Sequence, residues 1–280
     1  MKYKELSVDI SRAGCTGDPE NQPVLEAYLL DESKELKNSR ERTAVLVCPG
    51  GAYRFRSARE GEPIAMRFLA RGMQAFVLHY SVAPAKFPCA LVELAVSVAC
   101  IREHAKEWHI DEKKIFLCGF SAGGHLCASL GTMHRQDFLR RILCDTLRLR
   151  EGSWRPDGMI LAYPVISSGS CTHEESRENL IGRHPADSLV SQVSLEKQVT
   201  EETVPTFLWH TWEDDAVPVE NSLLFAAALR RAGVSCEMHI YEKGGHGLAL
   251  CDEVTEDLPS QIRPDVSGWL DLAVRWLRRR

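Results

Sequence analysis

No apolar run in this chain approaches the roughly 20 residues that a membrane-spanning helix needs, and the opening stretch MKYKELSVDI lacks the hydrophobic core of a secretory signal. The protein is therefore expected in the cytoplasm, with no membrane partner. Cys-x-x-Cys pairs are missing as well. The ten cysteines are scattered, and Cys48, Cys100, Cys118 and Cys127 fall inside apolar runs. That is the pattern of thiols buried as small hydrophobes in a reducing compartment, and it excludes a disulfide framework or a zinc ribbon. No two histidines stand four apart with an acidic third ligand, so neither a metal nor another cofactor is expected. Excess positive charge is also absent: the net charge of -5 argues against nucleic acid as the main partner. Basic residues do cluster between Arg135 and Arg150 and at Arg278-Arg279-Arg280, and both clusters read as solvated faces. Repeats, low-complexity tracts and Gly/Ser/Pro-rich linkers are lacking, so the 280 residues read as one domain, 1–280. Its hydrophobic fraction of 44% is enough for a full core.

What is present is an alternation of strands and helices. Tyr3, Leu6, Val8 and Ile10 suggest an edge strand, Ala13 to Pro23 a turn-rich loop, and Val24 to Leu30 a second strand. Three almost wholly apolar runs, Thr43 to Cys48, Met73 to Tyr80 and Ile115 to Cys118, have the character of strands covered on both faces. Gly158 to Pro164, Thr206 to His210 and Cys236 to Tyr241 complete the strand set. Helices are expected over Glu62 to Arg71, Ala90 to His109, Val219 to Ala232 and from about Val266, with Leu223, Leu224, Ala227 and Leu229 of the third facing inward. An amphipathic helix carrying Phe138, Ile142, Leu143 and Leu147 is expected between Arg135 and Asp157. The order implies an α/β fold with a mainly parallel, doubly covered sheet. One segment does not fit the alternation. Val165 to Pro205 is long and polar, with weak helical pieces over Glu174 to Ile181 and Ala186 to Ser191, and it is expected to be a lid insertion over the site.

Chemistry is concentrated in four loops that follow strands. Gly119-Phe120-Ser121-Ala122-Gly123 sits between an apolar strand and an amphipathic helix, which is the arrangement of a nucleophile elbow. A serine on such a turn is held in a strained conformation, and its neighbours two positions away must be glycine because the turning chain leaves no room for side chains. The Ala122 N–H, at a helix start, is placed to donate to a developing oxyanion. Pro49-Gly50-Gly51-Ala52-Tyr53 follows a central strand, and its paired glycines suit a second donor, Gly51 N–H or, as the nearest rival, Ala52 N–H. No Gly-Lys-Ser/Thr follows, which excludes a phosphate loop. A serine hydroxyl needs a base, and the base needs a carboxylate to fix its tautomer. His246, set among Gly244, Gly245 and Gly247, and Asp214, with Asp215 beside it, lie after later strands in the order Ser, Asp, His that accompanies a nucleophile elbow. His125 reads as a packing or capping residue, and His79 and His210 as core histidines closing strands.

The segments GFSAGGHL, CPGGAY, HYSVAPAKFP, HTWEDDAVPVENS and GGHGL resemble the α/β-hydrolase superfamily. More closely they are similar to small bacterial carbohydrate esterases, akin to acetylxylan and feruloyl esterases and to hormone-sensitive-lipase-like esterases. The resemblance covers nearly the whole chain. It implies Ser121 as nucleophile, His246 as base and, counting four residues on from His210, Asp214 as the acid. It also implies a substrate that is a short-chain, foremost acetyl, ester of a small molecule or oligosaccharide. Two positions depart from the pattern: Ala52 stands where a third glycine is usual, and Thr211 where a glycine commonly follows the strand-closing histidine. Prolyl-oligopeptidase-type peptidases share the triad, and a non-catalytic binding protein would share the fold.

Overall fold

The structure, a computed structural model, describes residues 1–15, 22–33, 35 and 41–280. Most of the loop expected over Ala13 to Pro23 lies outside these residues. The sheet is built from β1 (Lys2–Ser7), β2 (Val24–Leu29), β3 (Arg42–Cys48), β4 (Gln74–His79), β5 (Ile110–Phe120), β6 (Gly158–Ala162), β7 (Thr206–Thr211) and β8 (Cys236–Tyr241). Their order is β1-β2-β4-β3-β5-β6-β7-β8. The pairs β1/β2 and β2/β4 are antiparallel, and every pairing from β4 across to β8 is parallel. Helices α1 (Glu62–Ala70), α2 (Cys89–Glu103), α3 (Ser121–Met133), α4 (Asp137–Arg140), α5 (Glu174–Ile181), α6 (Asp187–Gln192), α7 (Glu220–Arg231) and α8 (Trp269–Arg278) fill the connections.

Two cores result from the period-two alternation of the strands. On one face Ala44, Leu46, Ile115 and Leu117 pack against apolar residues of α2, α3 and α7. On the other, Val45, Val47, Phe116, Cys118 and Phe120 meet α1 and the indoles of Trp269 and Trp276 on α8. Where β3, β5, β6 and β7 are covered on both faces, apolar side chains predominate, as in Ala44–Cys48, Ile115–Cys118, Met159–Ala162 and Phe207–Trp209.

Several expectations need correction. The β5 strand is longer than its apolar run, beginning at Ile110. Helix α2 stops at Glu103, not His109: His109 adopts φ 54, a left-handed conformation that no helix continues through, and Trp108 stacks on His104 instead. Between Arg135 and Asp157 the chain makes only the short α4, followed by a π-helical turn over Arg141–Thr146, and Leu139 and Leu143 are its buried residues. On α7 the inward face is Asn221, Ser222, Phe225, Ala228 and Leu229, whereas Leu223 and Leu224 are exposed. Cys100 is half-buried, and His79, about a third exposed, pairs with Glu26 at 3.1 Å at the sheet surface. Among the described residues no helix is long and apolar enough to cross a membrane.

Candidate active site

Every candidate residue lies beyond the carboxyl end of a parallel strand. β5 ends at Phe120, and Ser121 opens α3 with φ 50, an unfavourable conformation for a residue with a side chain, costing on the order of 1–3 kcal/mol. Close packing imposes it. A Cβ on Gly123 would lie 2.1 Å from the Cys48 carbonyl oxygen and 2.4 Å from that of Pro49; one on Gly119 would lie 2.3 Å from the Gly123 oxygen. The helix start is therefore pressed against the end of β3 and against its own strand. Ser121 is the residue left projecting at the turn, almost entirely covered.

His246 reaches that hydroxyl from the loop after β8. Its Nε2 is 2.8 Å from Ser121 Oγ and its Nδ1 is 2.7 Å from Asp214 Oδ2. A carboxylate accepts only, so Nδ1 carries the proton and Nε2 is free to accept from the serine. Asp214 is itself tightly held. Oδ1 accepts the N–H groups of Ala216 and Val217 at 3.1 and 2.9 Å, and Oδ2 lies 3.1 Å from His210 Nε2. Burial alone would raise the Asp214 carboxyl, but hydrogen bonds from His210 and His246, then the charge on His246 and the Val217 N–H, hold it well below the usual carboxylate range. His210 is fully buried and satisfied. Its Nε2 faces two acceptors, Asp214 and the Val217 carbonyl, so Nδ1 accepts from Ser222 Oγ at 2.7 Å. Asp215 points to solvent. The structure thus brings Ser121, His246 and Asp214 together and leaves Asp215 outside.

The loop after β3 supplies the amides. Gly51 has φ 126, and a Cβ there would lie 2.2 Å from the Phe55 carbonyl oxygen, so only glycine fits. The Gly50 carbonyl accepts Ser57 N–H at 2.9 Å, and the Gly51 carbonyl accepts Arg54 and Phe55 N–H at 2.9 and 3.1 Å. In a trans peptide the N–H points opposite to the carbonyl. The Gly51 and Ala52 N–H groups therefore point away from the loop's own hydrogen bonds, and neither bonds to a described residue. Ala52 stands in for the usual glycine by adopting φ 55 itself, a left-handed strain that the closely packed loop sustains. Tyr53 Oη lies 2.9 Å from His125 Nδ1, while His125 Nε2 lies 2.9 Å from the Val193 carbonyl. Nε2 is hence the protonated nitrogen, and burial lowers the His125 pKa to about 4. His125 is a neutral packing residue linking three segments.

Several supporting residues carry no signal in the sequence. Glu60, in the short 3-10 turn Ala58–Glu60 before α1, is 3% exposed and accepts Gly50 N–H at 2.8 Å and Tyr163 Oη–H at 2.7 Å. Tyr163 follows β6 with φ 36, and its ring stands edge-on to His246 with centroids 5.1 Å apart. Arg59 donates to the carbonyls of Gly247 and Thr255, clamping the His246 loop. Asn221 accepts the N–H groups of Ile166 and Ser167, and Asn179 on α5 donates to the Ala52 carbonyl at 2.9 Å. Only Asn221 falls within one of the family-like segments, and the role of each is identified only by what lies across the fold from it. Among the described residues no three His, Cys, Asp or Glu side chains gather as metal ligands.

Known proteins share this architecture. The BD-FAE family model matches residues 30–229. The chain is 41% identical over 237 residues to Endo-1,4-beta-xylanase B of Butyrivibrio fibrisolvens, an alignment covering 82% of this chain and 35% of that protein. It is 28% identical over 233 residues to Acetylxylan esterase of Xylanibacter ruminicola, covering 81% and 45% respectively. These curated relatives are therefore more than twice the length that this chain matches. Among solved structures, the acetyl ester-xyloside bifunctional hydrolase of Caldicellulosiruptor lactoaceticus superposes with a TM-score of 0.79 at 37% identity, over 94% of this chain and 90% of that one. The carboxylesterase Cest-2923 of Lactobacillus plantarum gives 0.84 at 30% identity, over 100% and 98%. With a family model matched over most of its length and α/β-hydrolase structures over nearly all of it, the chain belongs to the BD-FAE family and has the α/β-hydrolase fold.

Proposed function

We propose that the chain is a serine carboxylesterase that removes short acyl groups, acetyl foremost, from sugars or xylo-oligosaccharides through a Ser121–His246–Asp214 triad. The observation that carries this reading is the unbroken run of short contacts, 2.8 Å from Ser121 Oγ to His246 Nε2 and 2.7 Å from His246 Nδ1 to Asp214 Oδ2. Ser121 Oγ attacks the ester carbonyl while His246 takes its proton. The carbonyl π electrons move to the oxygen, which receives N–H bonds from Ala122 and from Gly51, with Ala52 as the alternative donor. The tetrahedral intermediate collapses, His246 gives its proton to the departing alcohol oxygen, and an acyl-Ser121 ester remains. Water, deprotonated by His246, then releases the acid. Asp214 stays ionised throughout, holding the tautomer and supporting the imidazolium.

Similarity to a xylanase and to an acetylxylan esterase supports a xylan-derived ester as substrate. Segment 165–205 is our choice for the lid that selects it, since α5 is joined to the oxyanion loop through Asn179. A cytoplasmic location is supported by ten cysteines that are all unpaired. The test is acetate release from acetylated xylo-oligosaccharides and from a simple chromogenic acetate, each with wild type and Ser121→Ala. Turnover of both, lost in the variant, is the expected result. Turnover of the simple ester alone would keep the triad and overturn the sugar assignment.

A further inference from the structure

Glu60 stands outside the reacting groups, yet its two carboxylate oxygens reach the oxyanion loop directly and the His246 loop through Tyr163. Oε2 accepts the Gly50 N–H, and Oε1 accepts the Tyr163 hydroxyl. Tyr163 Oη accepts in turn from Ala249 N–H at 2.9 Å, so its own proton is committed to Glu60. On the first branch, Gly50 is the point at which the oxyanion loop abuts the nucleophile turn: a Cβ there would lie 2.7 Å from Glu60 Oε2 and 3.0 Å from Ser121 Cβ. Fixing the Gly50 N–H fixes the peptide immediately before the one that carries the Gly51 N–H. On the second branch, Ala249 lies three residues beyond His246 and has φ 50, a conformation held by the Tyr163 bond on its N–H and by Trp269 Nε1 on its carbonyl at 2.9 Å. The Tyr163 ring completes this branch by bracing the imidazole edge-on.

We infer that Glu60 is a positioning residue that sets the oxyanion amides and the His246 imidazole in register with each other through one buried carboxylate. The inference rests on the serine-esterase reading. Ground-state binding needs little of this registry, whereas the transition state needs the oxyanion donors and the base at once, and displacements on the order of 1 Å cost as much as about 100-fold in rate. The carboxylate is also difficult to replace. Glutamine presents one acceptor and one donor, so in Glu60→Gln one of the two N–H or O–H partners faces another donor.

The test measures kcat and KM with a simple acetate ester for Glu60→Gln, Tyr163→Phe and the double variant, with thermal melts to confirm folding. Tyr163→Phe keeps the ring and removes only the hydroxyl, and Glu60 keeps its bond to Gly50, so this variant reports even if Glu60→Gln does not fold. We expect kcat to fall about 10- to 100-fold in Glu60→Gln and less in Tyr163→Phe, with KM within about twofold of wild type. The double variant should be little worse than Glu60→Gln, because both substitutions break one connection. Wild-type kcat in Tyr163→Phe, losses confined to KM, or losses that multiply in the double variant would overturn the inference. Ser121→Ala run alongside separates the two claims: if it retains turnover the esterase reading fails, and if it is inactive while Tyr163→Phe is unimpaired only the role of Glu60 fails.

Discussion

The turn that carries Ser121 and the segment that runs from Val165 to Pro205 are held in opposite ways. At the turn, backbone lies directly on backbone, and the space a Gly123 Cβ would need is already filled by the Cys48 and Pro49 carbonyl oxygens. In the segment, α5 sinks Leu180 and Ile181 into the core and its Leu180 carbonyl accepts Phe87 N–H at 2.9 Å, but its outer side is fastened by side chains reaching to carbonyls. Asn179 Nδ2 donates to Ala52, and Lys86 Nζ donates to Glu178 and Asn179 at 3.1 and 2.7 Å, with an exposed Arg54–Glu175 pair at 2.8 Å beside them. Contacts of the first kind tolerate no added atom. Those of the second kind are worth about 1 kcal/mol each or less and are removable singly. The Ser121 turn and the outer side of α5 are thus held by contacts of different kinds, and those of the second kind can change without disturbing the turn.

The largest effect that would test this difference is at the proposed triad. Asp214→Asn should lower kcat on the order of 10⁴-fold, because the amide no longer enforces the His246 tautomer, while Asp215→Asn, at an exposed position, should leave kcat unchanged. Steady-state kinetics on a simple acetate decides between them, and equal losses would mean that the acid is misassigned. Next comes Gly123→Ala, expected to cost about 3 kcal/mol or more in denaturant unfolding, since the clash is with backbone that cannot move without shifting β3. A wild-type midpoint would contradict the close packing described for the turn.

A third effect is on stability against pH. Burial is the first cause that lowers both His125 and His134 from the usual histidine range to about 4. Between these values the unfolded chain binds protons that the folded chain refuses, so stability rises with pH there and falls on acidification from about 6.5 towards 4. Thermal melts across that interval should show a steadily falling midpoint; a flat profile would mean that neither imidazole is held neutral. The smallest effect is expected from Asn179→Ala. Its bond to Ala52 is partly buried, so the loss should be about 1 kcal/mol. It should raise KM for acetylated oligosaccharides a few-fold and leave kcat on the simple ester intact. A fall in simple-ester kcat as large as that of Asp214→Asn would erase the distinction between the Ser121 turn and α5.

The same contrast explains what was legible in the sequence. Gly119, Gly123 and Gly51 are readable because close backbone contact permits one residue type, and the strands because burial on both faces demands apolar runs. His246 and Asp214 are readable from their places after β8 and β7. The inner face of α7 was not. Hydrophobicity points Leu223 and Leu224 inward, but Asn221 and Ser222 take that face because Ile166, Ser167 and His210 offer them buried partners. Glu60 was hidden for the same reason: a buried carboxylate is stable only where donors converge on it, and its donors, Gly50 and Tyr163, lie 10 and 103 residues away. A polar residue whose partners come from remote segments leaves no local signature.

The proposed reaction stands on Ser121 as nucleophile and His246 as its base. Incubation with a fluorophosphonate, followed by peptide mass spectrometry, tests both in wild type, Ser121→Ala and His246→Ala. A single adduct on Ser121 is expected in wild type, none in Ser121→Ala and labelling slowed by orders of magnitude in His246→Ala. An adduct on another residue, or undiminished labelling of Ser121→Ala, would contradict the assignment.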